Sequence, residues 1–213
     1  MEDKAYKVSL PKHPIITIRV IPGHFATSSR HVNFYLDVSE LKTNAFVARD
    51  VAEVLAIPYL TSALVDTIVC MERTEIIAAF LAQELLQPGT AVMNSGGEIH
   101  IVSPVSNDSG DMFFLDNVVQ WIHNKNVILL DASVSSARAI HIGMECIARY
   151  GGRLAGISAL FVASPEKQKD KIHSLFTSED IPGYKLFEAG ECEMCKGGQK
   201  IDALISSDGY TKV

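Results

Sequence analysis

Three stretches of this 213-residue chain carry residue types at spacings that can do chemistry. In the first, Asp131 to Ser136, one carboxylate and the hydroxyls of Ser133, Ser135 and Ser136 sit between the apolar run Val127 to Leu130 and a helical pattern that begins near Ala137. Hydroxyls and backbone amides that converge on the first turn of a helix meet the partial positive charge of that terminus, so the segment is a candidate phosphate cradle. In the second, Cys192 and Cys195 stand three residues apart and can supply half of a tetrahedral zinc site. Closing such a site takes two more ligands, and His173, Cys70 and Cys146 are the candidates. In the third, Glu72, Arg73 and Thr74 precede Glu75 at the start of another helical pattern. Arg73 suits a phosphate and Glu75 repels one, while the same group also reads as a surface ion-pair cluster.

The elements that must hold these residues can be read from periodicity. Asn126 to Phe161 reads as strand, polar loop (131–136), helix, Gly-Gly stop and second strand. The helix sets Ile140, Met144 and Ile147 on one face and Arg138, His141, Glu145 and Arg149 on the other, and it stops at Gly151 and Gly152. This is a βαβ unit, which belongs in a parallel sheet. Upstream, Thr67 to Met71 predicts a short buried strand, and Ile76 to Leu86 a helix stopped by Pro88 and Gly89. Asn44 caps a helix over Ala45 to Ala56 whose inner face is Val47, Val51, Val54 and Leu55. Ile15 to Val38 is extended and predicts a small cap rather than a core layer. Ala91 to Leu115 has strand patterning around Gly96 and Gly97, with a polar loop from Ser106 to Asp111. A helix is expected over Glu166 to Ser174, a short strand over Lys185 to Phe187, and a polar, Gly-rich tail from Gly190.

Composition narrows the function classes. With 47% apolar residues the chain can bury a full core as one domain. A net charge of -6 without any Lys/Arg run excludes a general nucleic-acid binder. The longest apolar-rich stretch, Ile76 to Leu86, is too short to span a bilayer, and the first ten residues lack a signal-peptide core, so a cytoplasmic location with reduced thiols is expected.

The run Leu129 to Ala139 is similar to the phosphoribosyl-pyrophosphate (PRPP) loop of type I phosphoribosyltransferases, where a hydrophobic strand leads to two acids, two hydroxyl residues and small glycines. In that register Asp131 falls on the first acid, Ala132 on the second, Ser135 and Ser136 on the hydroxyl pair, and Ala137 and Arg138 where glycines usually stand. Gly23, His24, Phe25, Ser28, Ser29, Arg30, Phe34 and Tyr35 resemble the hood segment of orotate phosphoribosyltransferases. Cys70 to Glu75 occupies the place of the family's pyrophosphate loop, and Cys192 to Gly198 resembles a Cys-x-x-Cys-Lys-x-Gly element of some orotate enzymes.

The resemblance implies an α/β fold, a parallel sheet flanked by helices with a small N-terminal hood, as a single domain: hood 1–43, α/β core 44–187, Cys-containing tail 188–213. It implies Asp131 as the catalytic carboxylate at the ribose and Ser133, Ser135, Ser136, Ala137, Arg138 and Ala139 around the 5′-phosphate. Glu72, Arg73 and Thr74 would meet pyrophosphate, and Phe25, Ser29, Arg30, Phe34 and Tyr35 the base. Transfer of phosphoribose to orotate or another planar base with Mg²⁺, by a homodimer that takes small base or nucleotide ligands, is the expected activity. The chain departs from the pattern at Ala132 and in the region 92–110, which holds no Lys or Arg to meet departing pyrophosphate. Two readings therefore stand: a transferase, or a non-catalytic nucleotide- or PRPP-binding or regulatory protein on the same fold. Zn²⁺ at Cys192 and Cys195 is the second metal expectation.

Overall fold

The computed structural model describes residues 2–27, 29–89, 93–107, 111–135, 137–164, 172–206 and 209–213, and for 137–139 the backbone alone. Strands β1 (Tyr6–Leu10), β2 (His13–Ala26) and β3 (Arg30–Asp37) form an antiparallel meander. In β2 Ile16, Ile18 and Val20 are fully buried while Thr17 and Arg19 are partly exposed, the period-two pattern of a strand with one face on a core. These three residues join the main hydrophobic cluster, so the expected small cap is in fact a core layer. Half-buried apolar alternation alone cannot tell a lid from a layer; the apposed helices decide it.

Helices α1 (Ser39–Thr43) and α2 (Ala45–Ala56) follow. Asn44 caps α2 as expected, its side chain accepting the Phe46 amide at 3.1 Å. Val47, Ala48, Val51, Ala52, Leu55 and Ala56 are buried, a stripe at helical spacing against β2 and α3 (Glu75–Leu86). Replacing Asn44 by Ala should cost about 1 kcal/mol, read from chemical denaturation; no change in midpoint would show the cap to be redundant.

A parallel sheet carries the rest of the core. Its strands are β4 (Thr67–Cys70), β5 (His100–Val102), β8 (Asn126–Val134), β9 (Arg153–Val162) and β10 (Ile172–Thr177), in the order β10-β9-β8-β4-β5. Between them come the hairpin β6 (Val105–Ser106) and β7 (Met112–Phe113), the short α4 (Asp116–Val119), and α5 (Ala137–Arg149). Ile68, Ile128 and Leu130 face α2 and α3, whereas Val69, Val127 and Leu129 pack with Ile140 and Ile147 of α5, so helices cover both faces. α5 stops before Gly151, whose φ of +78° and position against His123, 2.6 Å from where a Cβ would lie, admit only glycine.

Two expectations are corrected. The polar loop 131–136 is strand as far as Val134, because Asp131, Ser133 and Val134 continue the ladder onto Ala159, Phe161 and Val162. The helix expected over Glu166 to Ser174 is not helical at its end: Ile172, His173 and Ser174 lie in β10, paired with β9. Residues 166–171 lie outside the described residues.

The tail completes the N-terminal sheet. After β11 (Leu186–Glu188) and α6 (Glu193–Lys196), β12 (Ala203–Ser206) pairs parallel with β2, and β13 (Gly209–Lys212) extends the sheet. The result is the six-stranded order β11-β3-β2-β12-β13, with β1 also on β2. Among the described residues no helix is long and apolar enough to cross a membrane.

Candidate functional site

Where the carboxyl end of β8 faces the N-terminal sheet, the two layers enclose a cavity of about 470 Å³. Part of its lining is aromatic, with Phe34 and Tyr35 from β3, Phe161 from β9, and Tyr184. Tyr184 meets Phe161 edge-on at 5.5 Å. The polar lining comes from Ser39 and Lys42 of α1, Glu72 of the turn after β4, and Ser133 and Ser135 at the end of β8, with Ser133 paired to Phe161 across the β8–β9 ladder. Flat apolar surface beside hydroxyls and a cation suits a ligand that joins a planar ring to an anionic, hydroxylated part.

Of the base-binding residues expected from the sequence, Arg30, Phe34 and Tyr35 line this cavity. Arg30 is held at its edge by Glu188, 2.7 Å away, so part of its charge is already answered. Phe25 is fully buried and does not line the cavity; it backs the ring of Tyr35 at 5.9 Å, which also meets Tyr210 at 4.8 Å. Ser29 is exposed away from the cavity, its amide turned to Thr27 Oγ1. Burial pushes the Tyr35 hydroxyl up to about 12, aided by Asp37, Tyr210 and Glu72, and burial also raises that of Tyr184. Both remain proton donors at neutral pH.

The expected phosphate residues divide in the same way. Ser133 and Ser135 reach the cavity, as does Ala132, the residue at the place of the second acid. Ser136 and the side chains of Ala137, Arg138 and Ala139 lie outside the described residues. Asp131 does not line the cavity. It is 3% exposed, with Oδ1 accepting the amide of Ala132 at 2.8 Å, and burial pushes its carboxyl up to about 6 although the Ala132 and Ser133 amides and, less strongly, Lys42 oppose the shift.

In the expected pyrophosphate loop Glu72 lines the cavity, whereas Thr74 is buried with Oγ1 donating to Met71 O at 2.9 Å. Glu72 and Arg73 have φ of 49° and 61°, left-handed conformations that cost any residue with a Cβ. Strain of this kind gathers at ligand-binding turns.

Sequence reasoning missed Lys42, whose Nζ donates to the Glu72 carbonyl at 2.9 Å and ties α1 to that strained turn. It also missed Ser39 and Tyr184. No local signal marks a lysine in a short helix as a pocket residue; only the packing of α1 over the end of β8 does. The Mg²⁺ implied by the resemblance demands several hard oxygen donors. Among the described residues Glu72 is the one carboxylate lining the cavity, so these residues do not form a Mg²⁺ site of their own.

The thiol pair has different neighbours from those expected. Cys70 and Cys146 are buried in β4 and α5 within the two main hydrophobic clusters, and His173 packs edge-on against Tyr59 in β10. Instead His24 of β2 and His31 of β3 lie beside Cys192 and Cys195. His24 Nε2 is 2.9 Å from His31 Nδ1, 3.5 Å from Cys192 Sγ and 3.6 Å from Cys195 Sγ, and Cys195 Sγ is 3.3 Å from His31 Nδ1. The available signal was two histidines, His24 and His31, in one extended N-terminal segment, with His24 set aside as part of the hood.

No protein-family model matches the sequence, and no curated protein matches it. Solved structures do. An orotate phosphoribosyltransferase from Mycobacterium tuberculosis, in complex with Fe(III) dicitrate, is similar over 76% of this chain and 91% of its own, with a TM-score of 0.50 and 11% identity. A phosphoribosyltransferase from Corynebacterium diphtheriae covers 76% and 90% at TM-score 0.51 and 12% identity. An adenine phosphoribosyltransferase from Thermoanaerobacter pseudethanolicus covers 75% and 95% at 0.51 and 16%. The fold is thus that of the type I phosphoribosyltransferases, as the sequence resemblance implied.

Proposed function

We propose that the cavity is a nucleotide pocket that holds a planar base against Phe34, Tyr35 and Tyr184 and a phosphorylated ribose beside Lys42, Ser133 and Ser135, without ordinary orotate-type turnover. The observation that carries this reading is the meeting of aromatic and polar side chains in the lining of one cavity, together with a carboxylate, Asp131, that does not line it and accepts the Ala132 amide instead. In the related transferases paired acids are expected to hold the ribose hydroxyls; here the second is Ala132 and the first is spent on its own backbone. Pairing of β8 with β9 as far as Val134 further limits the amides free to close on a phosphate.

A second reading, transfer of phosphoribose from PRPP to orotate or another planar base, is favoured by the fold. A thermal-shift panel of orotate, purines, nucleoside monophosphates and PRPP with Mg²⁺ separates the two when paired with a turnover assay. A ligand at ~100 times its dissociation constant should add ~2.7 kcal/mol to stability. Nucleoside monophosphates should stabilise the chain, and Lys42→Ala should weaken that binding by about 10- to 100-fold, the worth of a charge-assisted contact. Turnover in the ordinary enzyme range, on the order of 1 to 1,000 per second, would replace the binding reading with the transferase one.

A further inference from the structure

We propose that His24, His31, Cys192 and Cys195 form a closed, structural zinc site that fastens the C-terminal segment to the N-terminal sheet. One donor atom from each lies within 4.8 Å of every other. A tetrahedral zinc with Zn–N near 2.0–2.1 Å and Zn–S near 2.3 Å has edges of about 3.3 Å between nitrogens and about 3.6 Å between nitrogen and sulfur. Three of the four nitrogen–sulfur separations, 3.5, 3.6 and 3.3 Å, are already close to that edge, and the fourth lies within 4.8 Å. The two imidazole nitrogens, at 2.9 Å, need only a small side-chain rotation apart.

Ligand chemistry and the surrounding hydrogen bonds agree with this assignment. Two thiolates and two imidazoles are a soft-to-borderline donor set that selects zinc over magnesium or calcium. His24 Nδ1 lies 3.0 Å from Gln199 O and 3.2 Å from Lys200 O. Carbonyl oxygens only accept, so Nδ1 carries the proton and the Nε2 lone pair points at His31 and the two sulfurs. That is the tautomer a metal-ligating histidine takes, oriented by a backbone carbonyl behind it.

The topology explains what the site would do. His31 sits opposite Ala26 in the β2–β3 hairpin, two residues along β2 from His24, while Cys192 precedes α6 and Cys195 lies on it. α6 buries none of its residues, so it has little packing of its own to hold it. Just beyond it the chain must return so that β12 can pair with β2. None of the four ligands lines the cavity, so the site stands apart from the nucleotide pocket and can be tested without it. All four positions being protein donors, no place is left for a catalytic water.

The test uses the full chain, purified under reductant without chelator. Elemental analysis should give a single equivalent of zinc, and Cys195, the exposed thiol, should resist alkylation until a strong chelator is added. Cobalt(II) titrated into the stripped chain should produce the intense visible bands of a tetrahedral thiolate site, displaced by zinc. Cys195→Ser, at the exposed ligand, should lower zinc affinity by more than the ~10- to 100-fold that loss of a supporting hydrogen bond costs. A stripped chain that binds neither metal, or a Cys195→Ser chain with unchanged affinity, overturns the proposal. If that variant does not fold, the wild-type cobalt spectrum decides alone: a weak octahedral spectrum rejects the site and a tetrahedral one supports it.

Discussion

Gly156→Ala should destabilise the fold by roughly 2–4 kcal/mol, the sum of overpacking a dense core and breaking a buried hydrogen bond. For a chain of this size that is a fall in Tm of about 4–16 °C. A Cβ at residue 156 would lie 2.4 Å from Tyr59 Cε1 and 2.8 Å from its hydroxyl. Tyr59 is 2% exposed, its hydroxyl is 2.8 Å from Ser158 Oγ, and its ring meets His173 edge-on at 5.4 Å. The ring can make room only by leaving the Ser158 hydroxyl, which is itself fully buried. Gly156→Ala combined with Tyr59→Leu should therefore cost less than the sum of the two single changes. A Tm for Gly156→Ala within a degree of wild type would show that β9 shifts freely at this point.

Asp131→Asn should stabilise the unliganded chain at pH 7.5, with an upper bound of about 3 kcal/mol from a two-unit displacement. Burial pushes the Asp131 carboxyl from 3.8 up to about 6, so between roughly pH 4 and pH 6 the folded chain holds a proton that the unfolded chain has released. Stability from this group is present below pH 4 and is lost as pH rises through 6, above which the folded state carries a buried charge. Asparagine keeps an oxygen for the Ala132 amide and removes that charge. The difference between variant and wild type should be large at pH 7.5 and vanish near pH 4, measured by denaturant titration at both. A destabilised variant at pH 7.5 would mean that the Ala132 and Ser133 amides together with Lys42 outweigh desolvation, so that the charged carboxylate a ribose-binding acid requires is held at no net cost.

Much of the architecture was legible because it depends on local periodicity. The alternation of Ile16, Ile18 and Val20, the Asn44 cap with its helical stripe through Val51 and Leu55, and the Gly151 stop after α5 each follow from residues within a few positions of one another. Strand–helix–strand order around Val127 and Ile157 then requires a parallel sheet, and the observed β8–β9 pairing obeys it. Two of the cavity's aromatic residues, Phe34 and Tyr35, were legible too, since they follow the order of a hood segment, whereas Phe161 and Tyr184 were not.

The rest was decided by contacts between segments far apart in the chain. Asp131 to Val134 look like a loop by composition and become strand only because β9 offers a ladder to the end of β8. Lys42 enters the site only because α1 is packed over the turn at Glu72. His24 and Cys192 meet across a separation of 168 residues, and nothing in the spacing of either could announce the other. Periodicity determines which face of an element is apolar, but not which distant element will cover it. The carboxylate, the lysine and the four metal-type ligands take their chemistry from that second choice, which for the four ligands is made when the tail folds back onto the first sheet.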